Sequence, residues 1–152
     1  MNARYINPVL NAVQDVFKTM VGMDVSAGKP VLNKDKMPVY EVNGRIGLSG
    51  AVSGAICVSL SETLSIKLAS RMLEEEYNEL DEDSIDALKE ITNMIAGNAK
   101  SNFPDDSVEI SVPDLTLGRN SDIYPAGLPI ISIPFFTDNE KFAVDIALKT
   151  TP

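Results

Sequence analysis

The chain has 152 residues, 44% hydrophobic and 23% charged, which is typical of a single globular domain over residues 1–152. Its net charge of −9 repels nucleic-acid phosphates and anionic membrane surfaces, so we expect no nucleic-acid partner. The longest apolar stretch, residues 51–60, is too short to span a bilayer, so we expect no membrane insertion. Because no signal peptide is visible and the single cysteine excludes an internal disulfide, the expected location is cytoplasmic.

The absence of histidine is the most informative compositional feature. It excludes Ser-His-Asp and Cys-His catalysis, and it removes the imidazole ligands of many metal sites. No acidic cluster has metal-ligand spacing, so we expect the chain to bind no metal or other cofactor. Any enzymatic chemistry must therefore rest on carboxylates, amides, hydroxyls or a borrowed cofactor.

The first half of the chain predicts a helix, several strands and a second helix. Asn7 and Pro8 are typical of an N-cap and a first helical residue, and the apolar spacing predicts a helix over residues 7–20. Strand-like segments follow at 39–42, 45–48 and 55–60. Asn43-Gly44 between them predicts a hairpin, although such glycines also mark bulges. Ser61 predicts the N-cap of a helix over residues 62–74.

The second half predicts one long helix and a further set of strands. After an acidic, solvent-exposed connection, this helix begins near Asp83 or Ser84 and ends near Ser101. Strands are predicted at 108–112, 130–136 and 142–148, with a loop at 118–127 and a turn at 137–141. The order predicts an α+β fold, a layered domain with a largely antiparallel sheet and about three helices. Apolar-faced helices, two to each sheet face, would suit such layers.

The long helix carries a polar stripe opposite its apolar face. At 100° per residue, Asp86, Glu90, Asn93 and Gly97 fall within about 60° of one another. The core face is predicted to comprise Ile85, Leu88, Ile91, Thr92, Ile95 and Ala99. Asn and Gly are both unfavourable inside a helix, which indicates a function for the stripe. Gly97 would either allow another backbone to pack closely or keep the surface clear.

The pattern Asp86-x-x-x-Glu90-x-x-Asn93, followed by Met94-Ile95-Ala96-Gly97, resembles the signature of the CheX, CheC and FliY family of chemotaxis phosphatases. Residues 17–22, 46–50, 54–56 and 111–113 are similar to that family as well. The first helix lacks a Glu-x-x-Asn match, so the chain resembles the single-site CheX form. The interval from Asn93 to Pro113 is shorter than the family spacing, which concerns the local loop more than the two key residues.

The resemblance implies a phosphatase that hydrolyses the aspartyl-phosphate of a CheY-like response-regulator receiver domain. Asn93 would hold the attacking water, and Glu90 would pair with the receiver's active-site lysine. Gly97 would leave room for the receiver, while Asp86 would contact it, orient Lys89 or Glu90, or simply be solvated. The divalent metal, Mg²⁺, would belong to the receiver. The family also implies a homodimer through edge strands, although the residues themselves leave a monomer open.

Two other functions are compatible with the same residues. The chain could be a non-catalytic interaction module of the same fold in a chemotaxis, flagellar or other two-component assembly. Alternatively, it could be a small-ligand-binding or structural domain whose polar stripe faces solvent without a function. Cys57 is predicted to be a small core residue rather than a nucleophile, and Met94 a packing residue at the edge of the stripe.

Overall fold

Three α-helices and an eight-stranded antiparallel sheet form the described part of the chain, residues 3–105 and 107–150 of a computed structural model. The predicted layered α+β fold is confirmed. The helices are α1 (Ala3–Val21), α2 (Glu62–Leu73) and α3 (Glu82–Ser101). The strands are β1 (Ser26–Ala27), β2 (Val31–Leu32), β3 (Val42–Gly50), β4 (Val52–Leu60), β5 (Val108–Ile110), β6 (Asp114–Leu117), β7 (Ile131–Thr137) and β8 (Glu140–Thr150).

Two long hairpins form the centre of the sheet. The strand order is β1-β7-β8-β4-β3-β5, so the β3–β4 hairpin lies beside the β7–β8 hairpin. β2 also pairs with β7, and β6 pairs with β3. β3 is therefore hydrogen-bonded on both sides, with β4 along one edge and β5 and β6 in succession along the other.

All three helices pack on one face of the sheet, so the expected arrangement of helices on both faces is wrong. Successive strand residues point to opposite faces. In β4, Ile56 and Val58 point into the cluster formed with the helices, whereas Ala55 and Cys57 point away. That opposite face is covered by the loop around a 3₁₀ turn at Ser121–Ile123, which explains why β4 is apolar on both sides.

Helix α1 begins at Ala3, four residues earlier than predicted, and Pro8 lies inside it. Pro8 lacks the N–H that would reach the carbonyl of Arg4, so the helix forgoes one hydrogen bond. Tertiary contacts compensate for this loss. Tyr5 is buried, packs edge-on against Phe103 with ring centroids 5.4 Å apart, and donates a hydrogen bond to Asp105 Oδ2 at 2.7 Å.

The hairpin predicted at Asn43-Gly44 is wrong, because β3 runs straight through both residues. The chain reverses instead around Ala51, between β3 and β4. Asn43 is fully buried, and its amide donates to the carbonyls of Tyr40 at 2.9 Å and Gly118 at 3.2 Å. Asn43 and Gly44 favour a turn in isolation, but in this fold they lie in the middle of a densely packed strand.

Other local predictions are confirmed. Ser61 caps α2, accepting a hydrogen bond from the Leu64 amide at 3.1 Å. The turn between β7 and β8 is tight, and Asp138 and Asn139 both have positive φ. Asp and Asn tolerate this left-handed backbone conformation better than most residues do. α3 begins at Glu82, one residue before the predicted range.

Candidate functional site

Helix α3 is held by a capping box at its start and by the core along its length. Asp81 accepts from the Ser84 amide at 2.8 Å, and Ser84 accepts from the Asp81 amide at 2.7 Å. The same backbone hydrogen bond lowers the pKa of the Asp81 carboxyl. Of the predicted core face, only Ile85 is half-buried; the buried members are Leu88, Ile91, Thr92, Ile95 and Ala99. The orientation predicted for the helix is therefore confirmed.

The polar stripe lies on the solvent side of α3. Asp86 and Glu90 are exposed, and Asn93 and Gly97 are half-buried. Glu90 and Asn93 are separated by about 4.5 Å along the helix axis and share one side. Within the described residues, neither side chain has a hydrogen-bond or ion-pair partner. The carboxylate and the amide are thus both available to a molecule approaching from outside.

Gly97 leaves open space one turn beyond Asn93. Apart from the nearby backbone of α3 itself, a methyl group added at this position would meet no described atom within 4 Å. Close packing of another backbone, one of the two alternatives for this glycine, is therefore wrong. The helix surface beside the Asn93 amide is clear.

Asp86 lines a groove between α2 and α3. The groove has a volume of about 440 Å³, and its lining includes the apolar side chains of Met72 and Leu73. Every charged side chain that lines it is acidic: Glu75, Asp83, Asp86 and Glu90. Among the described residues, Asp86 forms no ion pair with Lys89, so its carboxylate is solvated.

Beneath the stripe, the Thr92 side chain of α3 packs directly against Gly44 of β3. A methyl group added at Gly44 would lie 2.1 Å from Thr92 Oγ1, on the residue that precedes Asn93. The sequence pattern predicted a hairpin or a bulge at Gly44. A glycine in the middle of a strand often marks a place where another part of the protein approaches closely. That pattern is the sequence signal that could have identified the contact between Gly44 and Thr92.

A second polar cluster lies on the far face of the sheet and is separate from the stripe. Asp145 accepts hydrogen bonds from the hydroxyls of Tyr124 and Ser132. Burial raises the pKa of the Asp145 carboxyl, although the two hydrogen bonds oppose the shift. Cys57 pairs with Asp145 across the strands, and burial raises the pKa of its thiol far above neutrality. Cys57 is a core residue, as predicted.

Three further observations concern the described residues. Between residues 3–105 and 107–150, no group of three or more Asp, Glu or Cys side chains could hold a metal ion. In the same ranges, none of the helices combines the length and hydrophobicity needed to cross a bilayer. Met94 packs against the helix–sheet core beside the stripe, as predicted.

Comparisons with known proteins agree on one relationship. The family model for the chemotaxis phosphatase CheX matches residues 42–136, more than half of the chain. CheY-P phosphatase CheX of Thermotoga maritima is 28% identical over 99% of both chains. The crystal structure of a chemotaxis protein CheX from Desulfovibrio desulfuricans has a TM-score of 0.87 at 27% identity, covering 95% of this chain and 99% of that one.

A complex is among the similar structures. The CheX component of a CheX–CheY–BeF₃–Mg²⁺ crystal structure from Borrelia burgdorferi has a TM-score of 0.82 at 28% identity. The match covers 95% of this chain and 97% of that chain.

Proposed function

The chain belongs to the family of chemotaxis phosphatases CheX, and on that premise we propose that it hydrolyses the aspartyl-phosphate of a CheY-like receiver domain. One observation carries the proposal. Glu90 and Asn93 lie one turn apart on the outer side of α3, with no partner among the described residues. The name of the Thermotoga relative and the CheX–CheY complex from Borrelia support a receiver domain as the molecule that Glu90 and Asn93 contact.

Asn93 is the residue that positions the attacking water. A neutral amide offers both a donor and an acceptor, so it can orient water towards phosphorus without changing its own protonation. The water oxygen bonds to phosphorus, the bond from phosphorus to the aspartyl oxygen breaks, and inorganic phosphate and a free aspartate result. The receiver contributes its Mg²⁺ and lysine as part of the substrate. Positioning of this kind is the usual logic of phosphoryl transfer.

Glu90 and the glycine make the approach of the receiver productive. The exposed Glu90 carboxylate pairs with the lysine of the receiver's active site, which sets the register of α3 over the phosphate. Because Gly97 has no side chain, the surface beside Asn93 is open and does not obstruct the receiver. Asp86, a solvated residue that lines the acidic groove, contributes negative potential to the same surface.

We also propose a cytoplasmic homodimer, because receiver domains are cytoplasmic partners and the β5–β6 edge of the sheet carries exposed apolar side chains. Val112 is 83% exposed and Leu117 is 60% exposed there. Sedimentation analysis of the chain tests the dimer.

The test is the decay of aspartyl-phosphate on CheY-like receivers of the same organism, with and without the chain. Wild type accelerates the decay, and Asn93→Ala lowers kcat by about a hundredfold, the scale for a lost positioning group. Glu90→Ala weakens binding of the BeF₃-activated receiver by about tenfold, which corresponds to about 1.4 kcal/mol. Asn93→Ala leaves that binding unchanged.

Two exposed or half-buried residues outside the stripe serve as matched controls. Asn98→Ala removes an amide from the same helix that bonds Asp15 Oδ2 at 3.1 Å, and Glu109→Ala removes an exposed carboxylate on β5. Both retain wild-type turnover. If the wild type binds activated receivers but accelerates no decay, the chain is a non-catalytic interaction module. If it binds none, the stripe has no receiver-directed function.

A further inference from the structure

We infer that Gly44, on the strand beneath α3, is a positioning residue that sets the height of Asn93 above the sheet. The inference rests on the proposed function, since it concerns the same helix. Gly44 lies in β3 and does not touch the reacting groups. It acts through Thr92, whose side chain points into the space that a Gly44 side chain would occupy.

The Thr92 side chain fills the space beside Gly44 that a side chain at position 44 would need. A methyl group on Gly44 would stand 2.1 Å from Thr92 Oγ1 and 3.2 Å from Thr92 Cβ. Non-bonded carbon and oxygen atoms need about 3.5 Å between them, so a relative movement of about 1.4 Å is required to admit the methyl group. Which partner moves decides the consequence.

The strand cannot move away. Gly44 pairs with Val58 of β4 on one side and with Leu115 of β6 on the other. Its neighbour Asn43 is buried and bonded to two carbonyls. Displacing β3 at this point would break ladders on both sides and leave backbone groups unpaired inside the protein.

Thr92 cannot easily turn aside either. It is 2% exposed, and its hydroxyl donates to the Leu88 carbonyl of its own helix at 3.0 Å. Rotating Oγ1 away from Gly44 would remove this acceptor from a buried hydroxyl. The helix must therefore yield, and because α3 is a rigid rod at this scale, Asn93 moves with Thr92.

The test compares Gly44→Ala with a matched substitution in the same strand. Gly47→Ala adds the same methyl group three residues further along β3, where its nearest neighbour is Ser111 Oγ at 3.3 Å and α3 is not touched. We expect Gly44→Ala to lower kcat by about tenfold to a hundredfold with a much smaller change in KM. Gly47→Ala keeps wild-type kcat and KM. Circular dichroism establishes that each variant is folded under assay conditions.

Rescue distinguishes positioning from a general structural defect. Thr92→Ala removes Oγ1, so the Gly44→Ala/Thr92→Ala protein should recover the kcat of Thr92→Ala alone. A folded Gly44→Ala with wild-type kcat overturns the inference. So does a loss of kcat that Thr92→Ala fails to restore, because the effect then does not pass through this contact.

The side-chain amide signals of Asn93 in nuclear magnetic resonance spectra provide a readout independent of catalysis. They should shift in Gly44→Ala and return in the double variant; unchanged signals overturn the inference. If the wild type accelerates no receiver dephosphorylation, the proposed function fails, and these signals alone decide whether Gly44 sets the position of Asn93. If Gly44→Ala does not fold, the double variant is assayed directly: folding with the turnover of Thr92→Ala supports the contact, and failure to fold refutes it.

Discussion

Replacing the buried carboxyl of Asp145 by an amide should stabilise the protein, and the gain should grow with pH. Asp145 is 1% exposed and accepts hydrogen bonds from Tyr124 and Ser132. Because burial raises its pKa, the folded protein holds this proton more tightly than the unfolded chain does. The wild type therefore loses stability as pH rises from the ordinary Asp pKa, about 3.9, to the raised value in the folded state.

The size of the effect follows from linkage. Asp145→Asn cannot ionise, so its advantage over wild type should increase by about 1.4 kcal/mol for each unit by which burial has raised the pKa. The amide oxygen can accept from one hydroxyl, and the amide nitrogen can donate to the other hydroxyl oxygen. Asp145→Ala, in contrast, leaves both hydroxyls without an acceptor and should destabilise by about 2–6 kcal/mol, at about 1–3 kcal/mol for each.

Urea unfolding at several pH values between 4 and 8 measures these differences. Tyr124 and Cys57, the titratable neighbours, have pKa values raised by burial and stay neutral throughout this range, so they do not contribute to the slope. The free-energy difference between Asp145→Asn and wild type should rise with pH and then level off. A difference that is flat or falls with pH would refute the assignment of a raised pKa to Asp145.

Two further outcomes follow from particular side chains. Gly97→Ala should raise the free energy of unfolding by about 1 kcal/mol, because Ala favours a helix and the new methyl group meets nothing outside the backbone of α3. The same methyl group should lower receiver dephosphorylation, because it obstructs the approach of the receiver to α3. A destabilised variant, or one with unchanged turnover, contradicts this. Cys57 is the single cysteine and is 1% exposed, so it should react with a thiol reagent only when the chain unfolds. The rate of the reaction should therefore rise steeply with urea concentration. Rapid labelling of the native protein would contradict the place of Cys57 in the core.

Helix α3 shows how far sequence reasoning can go. Its apolar period predicts which side is buried, and the opposite stripe contains Glu90 and Asn93. Both features are local, because residues three and four apart on a helix are neighbours wherever the helix packs. The structure places that stripe outside and the predicted face inside. The roles of the two side chains in catalysis stay predictions.

Short strands and helix ends were less accessible to such reasoning. β1 and β2 have two residues each, too few for a period, and they are strands only because they pair with β7. The first turn of α1 depends on Tyr5 reaching Asp105, a hundred residues away. No local pattern encodes a contact of that range.

The sequence by itself determined features that depend on neighbouring residues: the Ser61 cap of α2, the turn at Asp138-Asn139, the amphipathic faces, and the placement of Glu90 and Asn93 on one side of α3. The N-cap predicted at Asn7 is wrong, because Asn7 lies inside α1. Tertiary structure alone decided that all helices share one sheet face, that Asp145 is buried with two hydroxyls, and that Asn43-Gly44 continues a strand. Asn-Gly favours a turn by its own conformational preferences. This preference is overridden because Gly44 packs against Thr92 and β3 is paired with strands on both sides. Several contacts between distant residues together outweigh one local preference.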